Sequence, residues 1–229
     1  MRKSVPAVLA LTLLAVTALG LTAPAAHAAT DPIQPGDYVG SSIGGCTLNF
    51  VFDGGGKTYF GTAAHCVASV GETVRTLADE PFARVAMIGN PDVTAQDYAF
   101  LEVLPGYLSR VSPVVLGHAG TPTGVTPASA TALGDQVDFS GYGLGFDLIN
   151  VTRERRVGWI VGDDASEYTL VGMDTWGDSG GPIVHTSTGG AYAIVSRLCI
   201  GACTSEGPTV QGMLAKAAGR GLSLTLRTA

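Results

Sequence analysis

Apolar residues in this chain come in short runs that are separated by glycine, proline, aspartate and asparagine. The clearest runs occupy residues 46–52, 84–88, 98–104, 136–140, 167–171 and 191–196. Runs of this length between turn residues are typical of strands, and a series of them indicates an all-β sandwich or barrel. Residues 210–220 are the exception and predict a short helix. Met213, Leu214 and Ala217 share one face of that helix.

Composition suggests where the chain divides into two halves. The chain has 32 glycines, and charged residues make up only 14% of it. Residues 117–135 are rich in threonine, proline, glycine and alanine, and we interpret them as a link between two halves of similar size. No repeat between the halves is visible in the sequence.

The first 28 residues have the organisation of a secretory signal peptide. Arg2 and Lys3 give a cationic start, an apolar run follows at residues 5–21, and Ala28 completes a small-x-small cleavage site. A membrane anchor is the alternative, but one proline and two threonines interrupt the run, and the cleavage site favours removal. We therefore predict a secreted, extracellular protein.

The charge balance argues against a nucleic-acid partner. The formal net charge is −6, and removal of Arg2 and Lys3 with the signal leaves −8. An acidic chain without a basic patch is a poor candidate for nucleic-acid binding. No other apolar stretch is long enough to cross a bilayer, so no membrane association is expected after signal removal. The remaining length, about 200 residues, suffices for one large domain or two small ones.

Four cysteines in a secreted chain predict disulfides. Three connectivities are possible, and the separations along the chain favour Cys46–Cys66 and Cys199–Cys203. A zinc site is the alternative, but only the last two cysteines approach the close pairing of zinc ligands. No metal is expected.

The stretch DTWGDSGGP, residues 174–182, surrounds Ser179 with glycines. The pattern satisfies the G-x-S-x-G motif of a nucleophile elbow, but the same residue types also favour plain turns. A catalytic serine needs a base that takes its proton and an acid that holds the base.

Three histidines remain after the signal. His65 follows an apolar stretch beside a cysteine that a disulfide would fix, so it is the preferred base. His118 looks like a loop residue, and His185 like an exposed strand residue.

Chain order separates the hydrolase classes. The α/β-hydrolase order of serine, acid and histidine cannot be built after Ser179, because His185 precedes Glu206, which is the only acid there. The order histidine, acid, serine can be built. The candidate acids include Asp79, Asp92, Asp97, Asp135 and Asp138. Asp97 is preferred because it opens an apolar run, whereas Asp92 lies in a turn-like NPDV segment.

The motifs TAAHC (62–66), DYAFL (97–101) and GDSGGP (177–182), in that order, resemble the signatures of the chymotrypsin/trypsin-like serine proteases. The chain is most similar to their bacterial secreted, streptogrisin-like branch. The resemblance implies two packed, antiparallel six-stranded β-barrels and a short C-terminal helix. It also implies a division into a signal peptide (1–28), a short leader (29–37), a first barrel (38–120) and a second barrel with the helix (121–229).

The resemblance implies a role for each site residue. His65 would be the general base, Asp97 would orient it, and Ser179 would be the nucleophile. The amide groups of Gly177 and Ser179 would form the oxyanion hole. His65 and Asp97 would come from the first barrel and Ser179 from the second.

Several positions depart from the family pattern. In the family, a cysteine at the position of Thr175 forms a disulfide with a later cysteine, whose place Cys203 takes here. Because Thr175 cannot form this bond, Cys203 would pair with Cys199 instead. A buried Asp178 needs a cationic partner. Bacterial members often place an arginine where Phe139 stands, so an arginine of TRERR (152–156) would substitute, namely Arg153, Arg155 or Arg156.

The specificity pocket implied by the resemblance is lined by Met173, Asp174, Ser196, Arg197 and Leu198. Methionine and leucine predict a shallow, mostly apolar pocket for small or medium uncharged side chains. A preference for lysine or arginine through Asp174 is the alternative.

These observations predict a secreted serine endopeptidase that needs no cofactor, acts on proteins or peptides through an acyl-enzyme, and is a monomer. The alternatives are an inactive protease-like binding module and an esterase with the same triad.

Overall fold

The computed structural model describes residues 31–118, 120–143, 155–172, 174–197 and 204–229, and strands dominate it. The strands of the first half are β1 (Tyr38–Ser41), β2 (Gly44–Thr47), β3 (Val51–Gly54), β4 (Lys57–Thr62), β5 (Thr73–Arg75), β6 (Pro81–Ile88) and β7 (Ala99–Val103). Those of the second half are β8 (Gln136–Phe139), β9 (Arg156–Asp163), β10 (Glu167–Gly172), β11 (Pro182–His185), β12 (Gly190–Ile194) and β13 (Ser205–Pro208). Helix α1 (Val210–Gly219) and strand β14 (Thr225–Leu226) complete the chain.

The strands form two antiparallel sheets. The first has eight strands in the order β14-β3-β4-β7-β6-β5-β1-β2, and the second has six in the order β12-β11-β8-β9-β10-β13. The predicted all-β class with a short C-terminal helix is therefore confirmed, and the two predicted barrels correspond to these two sheets. The count of six strands holds for the second sheet. The first sheet has eight because residues 46–52, predicted as one strand, belong to two, and because β14 joins its edge.

The interruption at Leu48–Phe50 has a hydrogen-bonding cause. The amide of Leu48 donates to Asp37 and that of Asn49 donates to Gly61, so this stretch changes partners between β2 and β3. Its side chains are fully buried, and an apolar run alone does not reveal such a bend.

The core has three parts. One lies inside the first sheet and one inside the second, where Phe139, Ile160 and Tyr192 are packed. The third joins the two halves and contains Phe52, Phe100, Val184, Ile194 and Met213. Because β3, β7, β11, β12 and α1 all contribute to it, the sheets are held together by buried apolar area.

The C-terminal segment returns to the first sheet. Thr209 caps α1 by accepting a hydrogen bond from the amide of Gly212 at 3.0 Å, and β14 then pairs with β3. Arg227 binds both carboxylate oxygens of Asp53 from this position. Within the described ranges, no helix has the length and apolar character needed to cross a membrane.

Candidate active site

His65 and Asp97 lie side by side at one end of the first sheet. His65 is in a short 3-10 turn, Ala64–Cys66, directly after β4, and Asp97 lies just before β7. β4 and β7 are neighbours, so the two residues meet. The Nδ1 atom of His65 is 2.7 Å from Oδ2 of Asp97, and the backbone amide of His65 donates to Oδ1 at 3.0 Å. The carboxylate therefore fixes both the ring and the backbone of this histidine.

Asp97 is almost completely buried, whereas the side chain of His65 is 37% exposed. Burial by itself raises the pKa of this carboxyl group. Hydrogen bonds from His65 and Ser196 outweigh that effect, so the pKa of Asp97 lies below its usual value. An ionised acid that turns an exposed imidazole toward the crevice is the arrangement that a general base requires.

Ser196 also contributes to this site, although no sequence pattern indicates this contact. Its Oγ donates to Oδ2 of Asp97 at 2.5 Å, from a position two residues after the end of β12 in the second sheet. Sequence reasoning placed Ser196 only in the specificity pocket. The contact joins residues 99 positions apart, and no local pattern announces it.

Ser179 lies in the loop before β11, which packs against the first sheet. The amide of Thr47 donates to the carbonyl oxygen of Ser179 at 2.9 Å, and Sγ of Cys66 is 3.8 Å from the same oxygen. Asn49 donates to the carbonyl of Gly180 at 3.0 Å. These contacts bring Ser179 to the end of the first sheet that carries His65.

The glycines around Ser179 are explained by close packing and backbone conformation. Gly177 has φ +100° and Gly180 has φ +86°, a region that residues with a side chain rarely adopt. A Cβ at Gly180 would lie 2.3 Å from Oγ1 of Thr62. A Cβ at Gly177 would lie 2.7 Å from the carbonyl oxygen of Tyr142. Gly180 therefore lets the loop approach the first sheet, and Gly177 lets it approach the backbone at Tyr142.

The backbone of this loop offers two unused donors. Within the described residues, the amide groups of Gly177 and Ser179 donate to no acceptor, although Asp178 between them donates to Thr175 at 3.0 Å. The carbonyl of Gly177 is held from behind by Oγ1 of Thr47 at 2.8 Å. Two free N–H groups on a rigid turn beside a serine can bind a developing oxyanion.

Asp178 is fully buried and is paired with Arg156 of β9. The guanidinium contacts the two carboxylate oxygens at 2.5 and 2.8 Å. The amides of Gly143 and Thr175 donate to the same carboxylate at 3.0 and 2.7 Å. Of the three arginines weighed as partners, Arg156 is the one that the structure pairs with Asp178.

The arginine reaches this position because Phe139 and Arg156 are cross-strand partners in β8 and β9. The guanidinium carbon lies 5.0 Å from the centre of the Phe139 ring. Phe139, which stands where bacterial members often have an arginine, therefore packs against Arg156, the arginine that pairs with Asp178 instead. Arg155, the preceding residue, points elsewhere and pairs with Asp138 at 2.9 Å. Arg153 lies outside the described residues.

The other two histidines lie beside acids other than Asp97. His118 lies 3.8 Å from Asp138, and burial is the main cause that lowers its pKa. His185 was expected to be an exposed strand residue, and that expectation is wrong: the residue is 2% exposed. Its Nε2 is 3.1 Å from Oδ2 of Asp135, because the short β11 is covered by the turn before β8. Asp79 and Asp92 lie in turns of the first half.

The structure joins Cys46 and Cys66 in a disulfide with a Cα–Cα distance of 6.0 Å, directly beside His65. The three residues form a compact group, but sulfur atoms that are bonded to each other cannot act as thiolate ligands of a metal.

Cys199 and Cys203 lie outside the described residues, as do Met173 and Leu198 of the expected pocket. Asp174 is half-buried, and Arg197 is exposed and donates to the carbonyl of Pro91 at 3.2 Å.

Comparison with known proteins places this geometry in a family. The family model of the trypsin-like peptidase domain matches residues 47–194, which is more than half of the chain. The chain belongs to the trypsin-like peptidase family. This membership confirms the predicted enzyme class, a serine endopeptidase. No curated protein sequence shows a significant match.

Solved structures of bacterial proteases share the fold of this trypsin-like peptidase. Thermobifida fusca protease A aligns with a TM-score of 0.64 and 22% identity, covering 86% of this chain and 100% of the other. Nocardiopsis protease aligns with a TM-score of 0.59 and 23% identity, with coverage of 86% and 100%. Cellulomonas bogoriensis chymotrypsin aligns with a TM-score of 0.58 and 21% identity, again with coverage of 86% and 100%. At these identities the likeness shows the fold.

Proposed function

We propose that this peptidase is secreted and cleaves peptide bonds through Ser179, His65 and Asp97. The observation that carries the proposal is the bidentate contact of Asp97 with the ring and backbone of His65, beside a loop that presents Ser179. Ser179 attacks the scissile carbonyl while His65 takes its proton. His65 then gives this proton to the leaving amine, and an acyl-enzyme on Ser179 remains. Water, activated by the same histidine, releases the acid product.

Asp97 acts by orientation and charge. Its contact with Nδ1 leaves Nε2 of His65 as the atom that exchanges protons with Ser179. Because Asp97 is ionised and buried, it stabilises the imidazolium that forms during attack. The hydroxyl of Ser196 satisfies one further lone pair of this carboxylate.

The amides of Gly177 and Ser179 would bind the oxyanion of the tetrahedral intermediate. One donor of this kind is typically worth about 3–4 kcal/mol in the transition state. In this proposal the first barrel (38–120) supplies His65 and Asp97, and the second (121–229) supplies Ser179. Secretion rests on residues 1–28, which lie outside the described residues.

The test is labelling with an organofluorophosphate, followed by peptide mapping and by assays on a protein and on an activated ester. We expect stoichiometric modification of Ser179 in the wild type and none in Ser179→Ala or His65→Ala. Protein cleavage should be abolished in both variants while their unfolding transitions stay close to wild type. Failure to label Ser179 would support a binding module, and ester cleavage without peptide cleavage would support an esterase.

A further inference from the structure

Asp97 lies at the centre of a three-residue turn that directs its carboxylate to His65. Its φ of −78° and ψ of 67° are those of an inverse γ-turn, and the amide of Tyr98 closes the turn by donating to the carbonyl of Gln96 at 2.8 Å. A turn with a single hydrogen bond depends on the placement of its flanking residues. The position of the carboxylate therefore depends on how Tyr98 is held.

Tyr98 is held to the end of β6 by close packing of the backbone. The amide of Gly89 donates to the carbonyl of Tyr98 at 2.8 Å. A Cβ at Gly89 would collide with the carbonyl oxygen of Gln96, so the glycine permits this approach. Ile88, which ends β6, and Tyr98, which precedes β7, are thus the two ends of the segment that carries Asp97.

Arg220 contacts both ends of this segment from the second half of the molecule. It follows α1 directly, and its Nη1 donates to the carbonyl of Ile88 at 2.8 Å. Its guanidinium also donates to the hydroxyl oxygen of Tyr98. Burial raises the pKa of this tyrosine, and Arg220 opposes the increase. One side chain thus connects the residue that ends β6 with the residue that follows Asp97.

The packing of α1 sets the position of Arg220. Met213 and Ala217 of α1 are fully buried in the same apolar cluster as Tyr98. Arg220 lies three positions after Ala217, and its amide donates to the carbonyl of Ala217 at 3.0 Å, so it is on the side of the helix that faces this cluster. The arginine therefore reaches the segment from a helix that is docked by its apolar face.

We propose that Arg220 is a positioning residue for the acid of the triad, and that it keeps the turn at Asp97 in the orientation that binds His65. The carboxylate contacts both the backbone amide and Nδ1 of His65, a geometry that tolerates little displacement. In a well-oriented site, a shift of about 1 Å can cost roughly 100-fold in rate. The inference rests on the proposed function, in which Asp97 orients His65.

Two further residues of the second half hold the same segment at other points. Oγ of Ser196 donates to the carboxylate of Asp97 at 2.5 Å, and Arg197 donates to the carbonyl of Pro91 at 3.2 Å. These contacts hold the carboxylate and the middle of the segment, whereas Arg220 holds its ends. Loss of Arg220 should therefore displace Asp97 without releasing it, and the effect should be smaller than that of Asp97→Asn.

The experiment compares Arg220→Met, Arg220→Lys and Lys216→Met with the wild type on one peptide anilide. We expect Arg220→Met to lower kcat roughly 10- to 100-fold and to leave KM within about two-fold, because the residue acts on the acid and not on the substrate. Arg220→Lys should recover a large part of kcat, since an ammonium group can still donate to Ile88. Lys216→Met removes the same charge one turn earlier in α1 and should keep the wild-type kcat.

Proton NMR gives a readout that a loss of stability alone would not change. The proton between Nδ1 of His65 and Oδ2 of Asp97 is deshielded by a short hydrogen bond, so its resonance should move upfield in Arg220→Met as the distance of 2.7 Å increases. Lys216→Met should keep the wild-type resonance. Denaturant unfolding checks that both variants are folded at the assay temperature.

Tyr98→Phe is an independent variant, because it keeps the buried ring and removes only the hydroxyl. It should lower kcat and shift the resonance in the same direction as Arg220→Met, by a smaller amount, since the contact with Ile88 remains. A wild-type kcat and an unshifted resonance in folded Arg220→Met, or an equal loss in Lys216→Met, would overturn the proposal.

Asp97→Asn distinguishes the two levels of failure. If it loses activity while Arg220→Met does not, the positioning proposal is wrong and the catalytic proposal stands. If Asp97→Asn keeps full activity, the catalytic proposal itself fails.

Discussion

Arg156 and Asp178 form a buried bidentate ion pair that fixes the loop carrying Ser179 to strand β9. Asp178 lies in the chain between the two residues whose amides are proposed as the oxyanion hole, and Phe139 supports the guanidinium from the neighbouring strand. The partner of Asp178 comes from within the second sheet.

Removal of the arginine should disorganise the oxyanion loop. We expect Arg156→Met to lower kcat far more than it changes KM, because the unpaired Asp178 would leave its position. Breaking a buried ion pair on one side typically costs about 3–5 kcal/mol, so the free energy of unfolding should also fall. Steady-state kinetics and denaturant unfolding measure the two effects. Arg155→Met is the matched control, since Arg155 pairs with Asp138 and should leave kcat nearly unchanged.

The double variant Phe139→Arg/Arg156→Phe tests whether activity depends on the ion pair itself or on which strand supplies the arginine. Phe139 and Arg156 are direct cross-strand partners, so the exchange keeps a guanidinium and a ring on the same face. We expect it to regain a substantial part of the kcat lost in Arg156→Met. Activity as low as that of Arg156→Met, in a variant that unfolds like wild type, would contradict this account.

Asp97→Asn should reduce kcat on the order of 10⁴-fold, because an amide can hold His65 in the wrong tautomer. Asp92→Asn, in an exposed turn, should have almost no effect. Steady-state kinetics on one peptide substrate would decide between them, and the opposite ranking would show that the acid has been misassigned.

The Cys46–Cys66 disulfide should stabilise the first sheet. It closes a separation of 20 residues, for which the chain-entropy model gives up to about 3 kcal/mol. The Cys46→Ala/Cys66→Ala variant should lose a free energy of unfolding of this size, measured in denaturant. An unchanged midpoint would show that native packing, not the crosslink, holds this end of the sheet.

Peptide mapping without reduction should also find Cys199 joined to Cys203. A fragment that joins Cys66 to either of them would refute the predicted pairing.

The Asp53–Arg227 pair should give a modest stability that depends on pH. Hydrogen bonding to Arg227 is the main cause that lowers the pKa of Asp53. Because the folded-state pKa lies below the unfolded one, the contribution is present above the unfolded value and disappears as the pH falls through the folded value. The Asp53 side chain is 45% exposed, so we expect Arg227→Gln to cost no more than about 1 kcal/mol at neutral pH and nothing in acid. Arg75→Gln, at an exposed pair, is the control for denaturant unfolding at both pH values.

The sequence by itself determined the fold class and the residues worth examining. Strand-length apolar runs and the helical spacing of Met213 and Ala217 are local patterns, because a side chain's face depends on the period of its own element. The three motifs added the family and the order of His65, Asp97 and Ser179. The resemblance to that family also implied that Asp178 is buried and needs a partner.

Only the tertiary structure decided which residues meet. Arg156 reaches Asp178 because the register of β8 and β9 places it opposite Phe139, whereas Arg155, just before β9, pairs with Asp138. Ser196 reaches Asp97 across the crevice between the sheets, and His185 is buried by a turn that packs on β11. These contacts depend on long-range pairing, and the spacing of residues along the chain carries no information about it.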